Sequence, residues 1–140
     1  MEPTTGCNHL NDDELRLQFE SLQFSPADFH HADHVRLAWI YVRQVGPAAA
    51  EQRLLEGIRK LAIHAGAPTK FLYTATVAWA RLVAAAAVHD PAELSFPEWI
   101  TRHPELLNKD LLDEFYSAGT LKADPARSHW VDPDRKPLTP

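Results

Sequence analysis

The segment from Phe71 to Val88 most restricts what this chain can fold into, because it is apolar around nearly the whole circumference of a helix. A helix of that kind is typical of the central element of a helical bundle. Arg81 interrupts the apolar run and alanine is abundant in it, so a buried helix explains the segment better than a membrane span. We predict this fourth helix over residues 69–89. Its polar strip consists of Lys70, Thr74 and Arg81.

Proline and glycine divide the rest of the chain into further helical segments. Asn11 or Asp12 can cap a first helix, and Gly46-Pro47 separates a second helix over 31–45 from a third over 48–64. Shorter elements are expected after three capping patterns. These patterns begin at Ser25, before a short turn, and at Ser95 and Asn108, before short helices.

From Ala123 onward the chain has four prolines and little periodicity, which predicts an extended tail pinned by Trp130. The fold class predicted for the whole chain is therefore all-α. We expect a compact bundle of about five to six helices with a Pro-rich C-terminal tail over 123–140. A length of 140 residues suits a single domain over 1–140, in which residues 1–10 form a polar leader.

Charge and composition limit the partners that the chain can have. A net charge of -5, without a block of Lys and Arg, argues against a nucleic-acid surface. The polar N-terminus lacks the pattern of a signal peptide, and a lone cysteine, Cys7, suits a reducing compartment. We therefore predict a cytoplasmic protein that binds a small molecule and neither nucleic acid nor membrane. Ile40, on the otherwise polar side of the second helix, is a mild indication of a homodimer.

Two histidines lie on the apolar face of the second helix. Projected at ~100° per residue, His31 and His34 fall one turn apart within the apolar stripe. Burial and the positive end of the helix both lower the pKa of an imidazole, and a neutral histidine near pH 7 is a useful general base. We predict that both transfer protons. The alternative is a structural role, in which one ring bonds a backbone carbonyl and the other caps the helix.

A metal site on these histidines is a second hypothesis, because histidines three or four residues apart can bind one ion. Such a site needs a third ligand, and neither an HExxH motif nor a cysteine pair is present. We therefore predict an acid–base enzyme with no metal and no other cofactor. A metal-binding protein and a non-catalytic ligand-binding or interaction module remain as alternatives.

The fourth helix supplies the other candidate residues. Lys70, expected in its first turn beside free backbone N–H groups, would hold an anionic group, unless it is simply solvated. Tyr73 joins the histidines as a catalytic candidate, and the hydroxyl of Thr76 would bind substrate. The indoles of Trp39 and Trp79 would supply stacking surfaces for substrate. Each of these residues is also compatible with an ordinary core position.

The run from Phe29 to Trp39 resembles the motif F-x-H-x-D-H-[VL]-R-L-A-W of a group of small bacterial helical proteins, largely of unassigned function. Residues 70–76 resemble a second motif of that group, K-Y-H-x-T-x-T, except that Leu72 stands in place of the histidine. The resemblance covers most of the chain. It extends to Tyr116-Ser117, Ala126-Arg127, Val131-Asp132-Pro133-Asp134 and Pro137-Leu138.

This resemblance implies two things about function. If the histidine of the second motif completes a metal or catalytic triad in the group, this chain lacks one member of it. Similar proteins are also linked to natural-product gene clusters and to Pictet–Spengler enzymes, which join an indole amine to a carbonyl compound. That reaction needs an aromatic slot, a carboxylate anchor and a base. The residues expected to provide them are Trp39 or Trp79, Lys70, and His31 or His34.

Overall fold

The computed structural model describes residues 10–24 and 29–138, and the regular elements in these ranges are all helical, so the predicted all-α fold is confirmed. The polar leader up to residue 9, Cys7 and the capping pattern at Ser25 lie outside the described residues. The α-helices are α1 (Asp12–Glu20), α2 (His31–Val45), α3 (Pro47–His64), α4 (Tyr73–Ala87), α5 (Phe96–Arg102), α6 (Ala118–Leu121) and α7 (Asp124–Ser128). Short 3-10 turns cover Pro68–Lys70, Pro104–Leu107 and Leu111–Glu114.

Helices α2, α3 and α4 pack against one another and form the centre of the bundle. Gly46 alone links α2 to α3, with a positive φ of 86° that glycine adopts without steric cost, and Pro47 then occupies the first turn of α3. Helix α1 packs on α2 and α3, and α7 packs on α4. Within the described ranges, no helix combines the length and the apolar character needed to cross a bilayer.

The predicted caps of two helices are confirmed. The Asn11 side chain accepts a hydrogen bond from the backbone N–H of Glu14 at 2.8 Å, and the Glu14 carboxylate accepts one from the N–H of Asn11 at 2.9 Å. Ser95 and Glu98 make the same reciprocal pair at the start of α5. Each pair satisfies two backbone donors that a helix start would otherwise leave open.

Two predicted boundaries were wrong. Helix α4 begins at Tyr73 rather than residue 69, because Pro68–Lys70 forms a separate 3-10 turn and Leu72 has an extended backbone, with φ -121° and ψ 105°. Lys70 therefore precedes the helix. Asn108 starts no α-helix either, because its side chain accepts from the N–H of Asp110 at 3.1 Å in a local turn. A 3-10 turn follows it.

Helix α1 covers the side of α2 that the projection assigns to solvent. Arg36 is only 8% exposed, and its guanidinium donates to the carboxylate of Asp12 and to the carbonyl of Leu10, each at 2.8 Å. Ile40, on the same side, is 3% exposed. The expectation of an exposed Ile40 was therefore wrong, and this residue gives no support for a homodimer.

The C-terminal segment is held by buried hydrogen bonds. Thr74, expected on the polar strip of α4, is instead fully buried, and its hydroxyl donates to the carbonyl of His129 at 2.6 Å and accepts from the N–H of Val131 at 3.1 Å. The Tyr116 hydroxyl donates to the carbonyl of Val131 at 2.6 Å. The segment predicted as an extended tail thus contains α7, followed by a run without helix that is bonded to α4.

Candidate functional site

His31 is the first residue of α2 and contacts two distant parts of the chain. Its Nε2 lies 2.9 Å from the carbonyl oxygen of Leu106 in the turn Pro104–Leu107. Because a carbonyl can only accept, Nε2 carries the proton, and the neutral ring has its lone pair on Nδ1. The ring also meets Trp79 of α4 edge-on, with centroids 4.4 Å apart. These two contacts fix both the orientation and the tautomer of the imidazole.

The surroundings of His31 keep its ring neutral. Burial lowers the pKa of this histidine, the hydrogen bond to Leu106 raises it, and the positive charge of Lys109 lowers it. Burial is the largest of these effects, so the net direction is below the usual value. The ring is only partly buried, and Lys109 is exposed. A neutral imidazole and a nearby cation are thus brought together at one surface.

His34 lies one turn further along α2 and has different properties. Its ring centroid is 6.4 Å from that of His31 and 6.4 Å from that of Phe29. The residue retains some exposed surface, but its Nε2 is fully covered and has no hydrogen-bond partner among the described residues. Burial first, and then the proximity of His31, lower the pKa of His34 to about 3. At neutral pH this ring is therefore an uncharged and weak proton acceptor.

The predicted substrate-binding residues of α4 and the turn before it point to other surroundings. Lys70 is exposed, and Tyr73 packs edge-on against Phe71 at 6.4 Å, beside residues of α3. Thr76 is buried, and its hydroxyl donates to the carbonyl of Leu72 at 2.8 Å within its own helix. Among the described residues, no hydrogen bond or ring contact joins these three side chains to the histidine pair.

The two tryptophans separate in the structure. Trp79 is 5% exposed and contacts His31 as described above. Trp39 is 2% exposed and packs against Phe96 and Trp99 of α5, with centroids at 5.4 and 6.1 Å, while Arg43 lies over its ring at 4.4 Å. Of the two, only Trp79 contacts the histidine site, and both indoles are almost fully buried.

Several surface clefts lie apart from the histidine pair. Five clefts of about 310 to 580 Å³ among the described residues are lined by other side chains. The largest of the five is bounded by Asp12, Trp39 and Arg43.

In the part of the chain that the structure describes, no three side chains of His, Cys, Asp or Glu cluster so as to hold a metal ion. The metal hypothesis for His31 and His34 therefore lacks its third ligand there.

A second histidine site was missed from the sequence. His103 Nε2 donates to the carboxylate of Asp90, which also lies 3.6 Å from the guanidinium of Arg102. The hydrogen bond from His103 lowers the pKa of Asp90 and outweighs the opposing effect of burial, and the charge of Arg102 lowers this pKa further. The pair joins the end of α4 to the end of α5. No sequence signal connects these two residues, because they lie on separate elements.

Lys109 and Leu106 were also missed, since both reach His31 from positions more than seventy residues away in the sequence.

Comparison with protein-family models found no matching family. Comparisons with curated proteins and with solved structures likewise found no match. The chemistry of the site must therefore be inferred from its geometry.

Proposed function

We propose that this chain is a small enzyme that transfers a proton on a small organic molecule, with His31 as the general base. The hydrogen bond from Nε2 to the carbonyl of Leu106 carries the proposal. Catalytic histidines are commonly oriented in this way, by an acceptor at one nitrogen that leaves the other free to take a proton. A fixed tautomer and a partly exposed neutral ring are the two properties that a general base requires.

Lys109 takes the role of anion anchor that the sequence suggested for Lys70. Its charge is near enough to His31 to lower the pKa of that ring, whereas Lys70 lies in the turn before α4 and is not among the groups that affect it. A cation beside a general base can hold a carboxylate and direct an acidic C–H or N–H of the substrate towards Nδ1. The substrate class favoured here is therefore a small carboxylate.

His34 supports His31 rather than transferring the proton itself. Its Nε2 is covered, and a base this weak is rarely protonated near pH 7. An uncharged neighbour keeps the surroundings of His31 of low polarity without adding a second positive charge. His31 therefore transfers the proton and His34 supports it, whereas the sequence predicts proton transfer by both.

The reaction that we propose is a Pictet–Spengler condensation in natural-product biosynthesis. An indole amine in its ammonium form and an aldehyde lose water to form an iminium ion, the indole ring attacks its carbon, and a base then removes the ring proton. Nδ1 of His31 would accept that proton, and no external cofactor is required. Action in the cytoplasm on a small molecule, without nucleic acid, remains a prediction that accompanies this reaction.

The test is product formation from tryptophan or tryptamine with acetaldehyde, followed by mass spectrometry. His31→Gln should lower the enzymatic rate by about 100-fold, the usual scale of a general base, while His34→Leu retains most of it. Lys109→Gln should raise KM for tryptophan and leave tryptamine unaffected, since only tryptophan has a carboxylate. His89→Gln, at an exposed histidine, is the matched control.

Two results would contradict the proposal. If folded His31→Gln turns over substrate at the wild-type rate, the histidine is not the base. If the wild-type protein forms no product above the uncatalysed rate with either amine, the condensation is excluded.

A further inference from the structure

A cleft of about 450 Å³ lies between α3, the turn Pro68–Lys70, the start of α4 and α7. Arg59 and Arg127 line it from opposite elements, and no acidic side chain does. Both arginines are exposed, and neither forms an ion pair with any of the described residues. In a chain with a net charge of -5, this is a local concentration of positive charge.

The same cleft has an apolar and aromatic wall. Phe71 and Tyr73 stand edge-to-face, with centroids 6.4 Å apart and planes at 84°. Ile63, which is 56% exposed, adds aliphatic surface. The Tyr73 hydroxyl has no hydrogen-bond partner within residues 10–24 and 29–138. Partly exposed aromatic rings and an exposed aliphatic side chain beside two arginines without ion pairs are a combination typical of ligand-binding clefts.

We propose that this cleft binds an aromatic carboxylate. The planar guanidinium groups of Arg59 and Arg127 suit the two oxygens of a carboxylate, which they can bond in pairs. The rings of Phe71 and Tyr73 suit an aromatic body through edge-to-face packing. A volume of about 450 Å³ lies within the range of small-molecule sites.

This site is distinct from the one at His31. Tyr73 and Trp79 are six residues apart on α4, so their side chains leave the helix about 120° apart and about 9 Å apart along its axis. Trp79 faces His31, whereas Tyr73 faces α3 and the cleft. The inference therefore stands independently of the proton-transfer reaction, and it gives Tyr73 a binding role in place of the catalytic one.

The experiment is a titration of the full chain with 2-naphthoate, followed by isothermal calorimetry and by backbone amide shifts. A ligand with about thirteen non-hydrogen atoms at ordinary efficiency is expected to bind with a Kd of about 1 mM. Arg59→Gln and Arg127→Gln should each weaken binding by about tenfold, the scale of one lost charge-assisted bond. Arg135→Gln is the control, because it removes the same charge at an exposed arginine outside the cleft.

Two comparison ligands separate the parts of the proposal. 2-Naphthalenemethanol, which lacks the charge, and inorganic phosphate, which lacks the ring, should both bind at least tenfold more weakly than 2-naphthoate. Shift changes should be centred on residues 59–73 and 127. The proposal is overturned if 2-naphthoate does not bind at about 10 mM, if phosphate binds as tightly, or if Arg135→Gln weakens binding as much as the two cleft variants.

Discussion

His31 donates its Nε2 proton to the carbonyl oxygen of Leu106, which lies 75 positions further along the chain. The first residue of α2 is thereby tied to the turn Pro104–Leu107, and the imidazole is held in one tautomer against Trp79. A buried carbonyl needs a donor, and a neutral imidazole provides one while keeping a lone pair on its second nitrogen. One hydrogen bond thus serves both the packing of the turn and the chemistry of the ring.

The tautomer and the pKa of His31 can be measured directly. Because burial outweighs the hydrogen bond to Leu106, we expect the pKa of this ring to lie below 6.5. Long-range ¹H–¹⁵N spectra of the imidazole should show the proton on Nε2 at neutral pH, and His31→Gln identifies the signal. A ring protonated on Nδ1 would show that the contact with Leu106 is not formed in solution, and a titration midpoint above 6.5 would show that burial does not dominate the pKa of this ring.

His34 is expected to make the folded state less stable in acid. Its pKa is about 3 in the folded chain, against a usual value of 6.5. As the pH falls below about 6.5, His34 becomes protonated in the unfolded chain but stays neutral in the folded chain. The free energy of unfolding therefore decreases progressively from neutral pH towards pH 3. Between pH 7 and pH 5 this group alone should remove about 2 kcal/mol from the free energy of unfolding.

The variant His34→Leu isolates this effect. Leucine cannot be protonated and leaves no buried Nε2 without a partner, so the variant should be at least as stable as the wild type at pH 7. Urea denaturation at both pH values should show a loss about 2 kcal/mol smaller than in the wild type. His89→Gln, at an exposed position, should behave as the wild type. An equal acid loss in His34→Leu would show that the folded chain protonates His34 freely.

Local signals in the sequence were sufficient for several helix boundaries. Asn11 and Ser95 start their helices with reciprocal caps, and Gly46 ends α2 at the predicted residue, because each signal acts within four residues of itself. Projection also placed His31 on the inner side of α2. What a projection leaves open is which element covers each side. Ile40 is therefore predicted as exposed, although it is buried in the structure.

The candidate site was only half predictable for the same reason. His31 stood out as a polar residue on an apolar face, but its partners Leu106 and Lys109 come from a turn that no spacing rule connects to α2. Lys70 and Thr76 were plausible on a continuous α4. Because the helix starts at Tyr73, Lys70 lies exposed in the turn before it. The Thr76 hydroxyl donates to a backbone carbonyl of the same helix. The roles of these residues depend on long-range packing, which the spacing of residues in the sequence does not reveal.

Two buried threonines on α4 should respond differently to the same substitution. Thr74→Val removes a hydroxyl that bonds both the carbonyl of His129 and the N–H of Val131, leaving two backbone groups unpaired. We expect a loss of about 2 to 4 kcal/mol in the free energy of unfolding. Thr76→Val should cost less than about 1 kcal/mol, since the carbonyl of Leu72 keeps its bond from the backbone N–H of residue 76.

Urea denaturation measures both threonine losses, and amide exchange locates the first. The N–H of Val131 should exchange faster in Thr74→Val and at the wild-type rate in Thr76→Val, because only Thr74 bonds this amide. Equal losses in the two variants, with Val131 unaffected, would mean that the C-terminal segment does not depend on Thr74.

Gly57 of α3 lies against Phe19 of α1, and a Cβ at this glycine would overlap the carbons of the ring. Phe19 is fully buried, so the ring cannot retreat without displacing the core. Alanine favours a helix by about 1 kcal/mol, but overpacking costs about 1 to 3 kcal/mol, so Gly57→Ala should be less stable than the wild type in urea denaturation. Gly119→Ala in α6 meets nothing within 4 Å and should gain stability instead. If both variants gain stability, α1 does not rest on α3 through this contact.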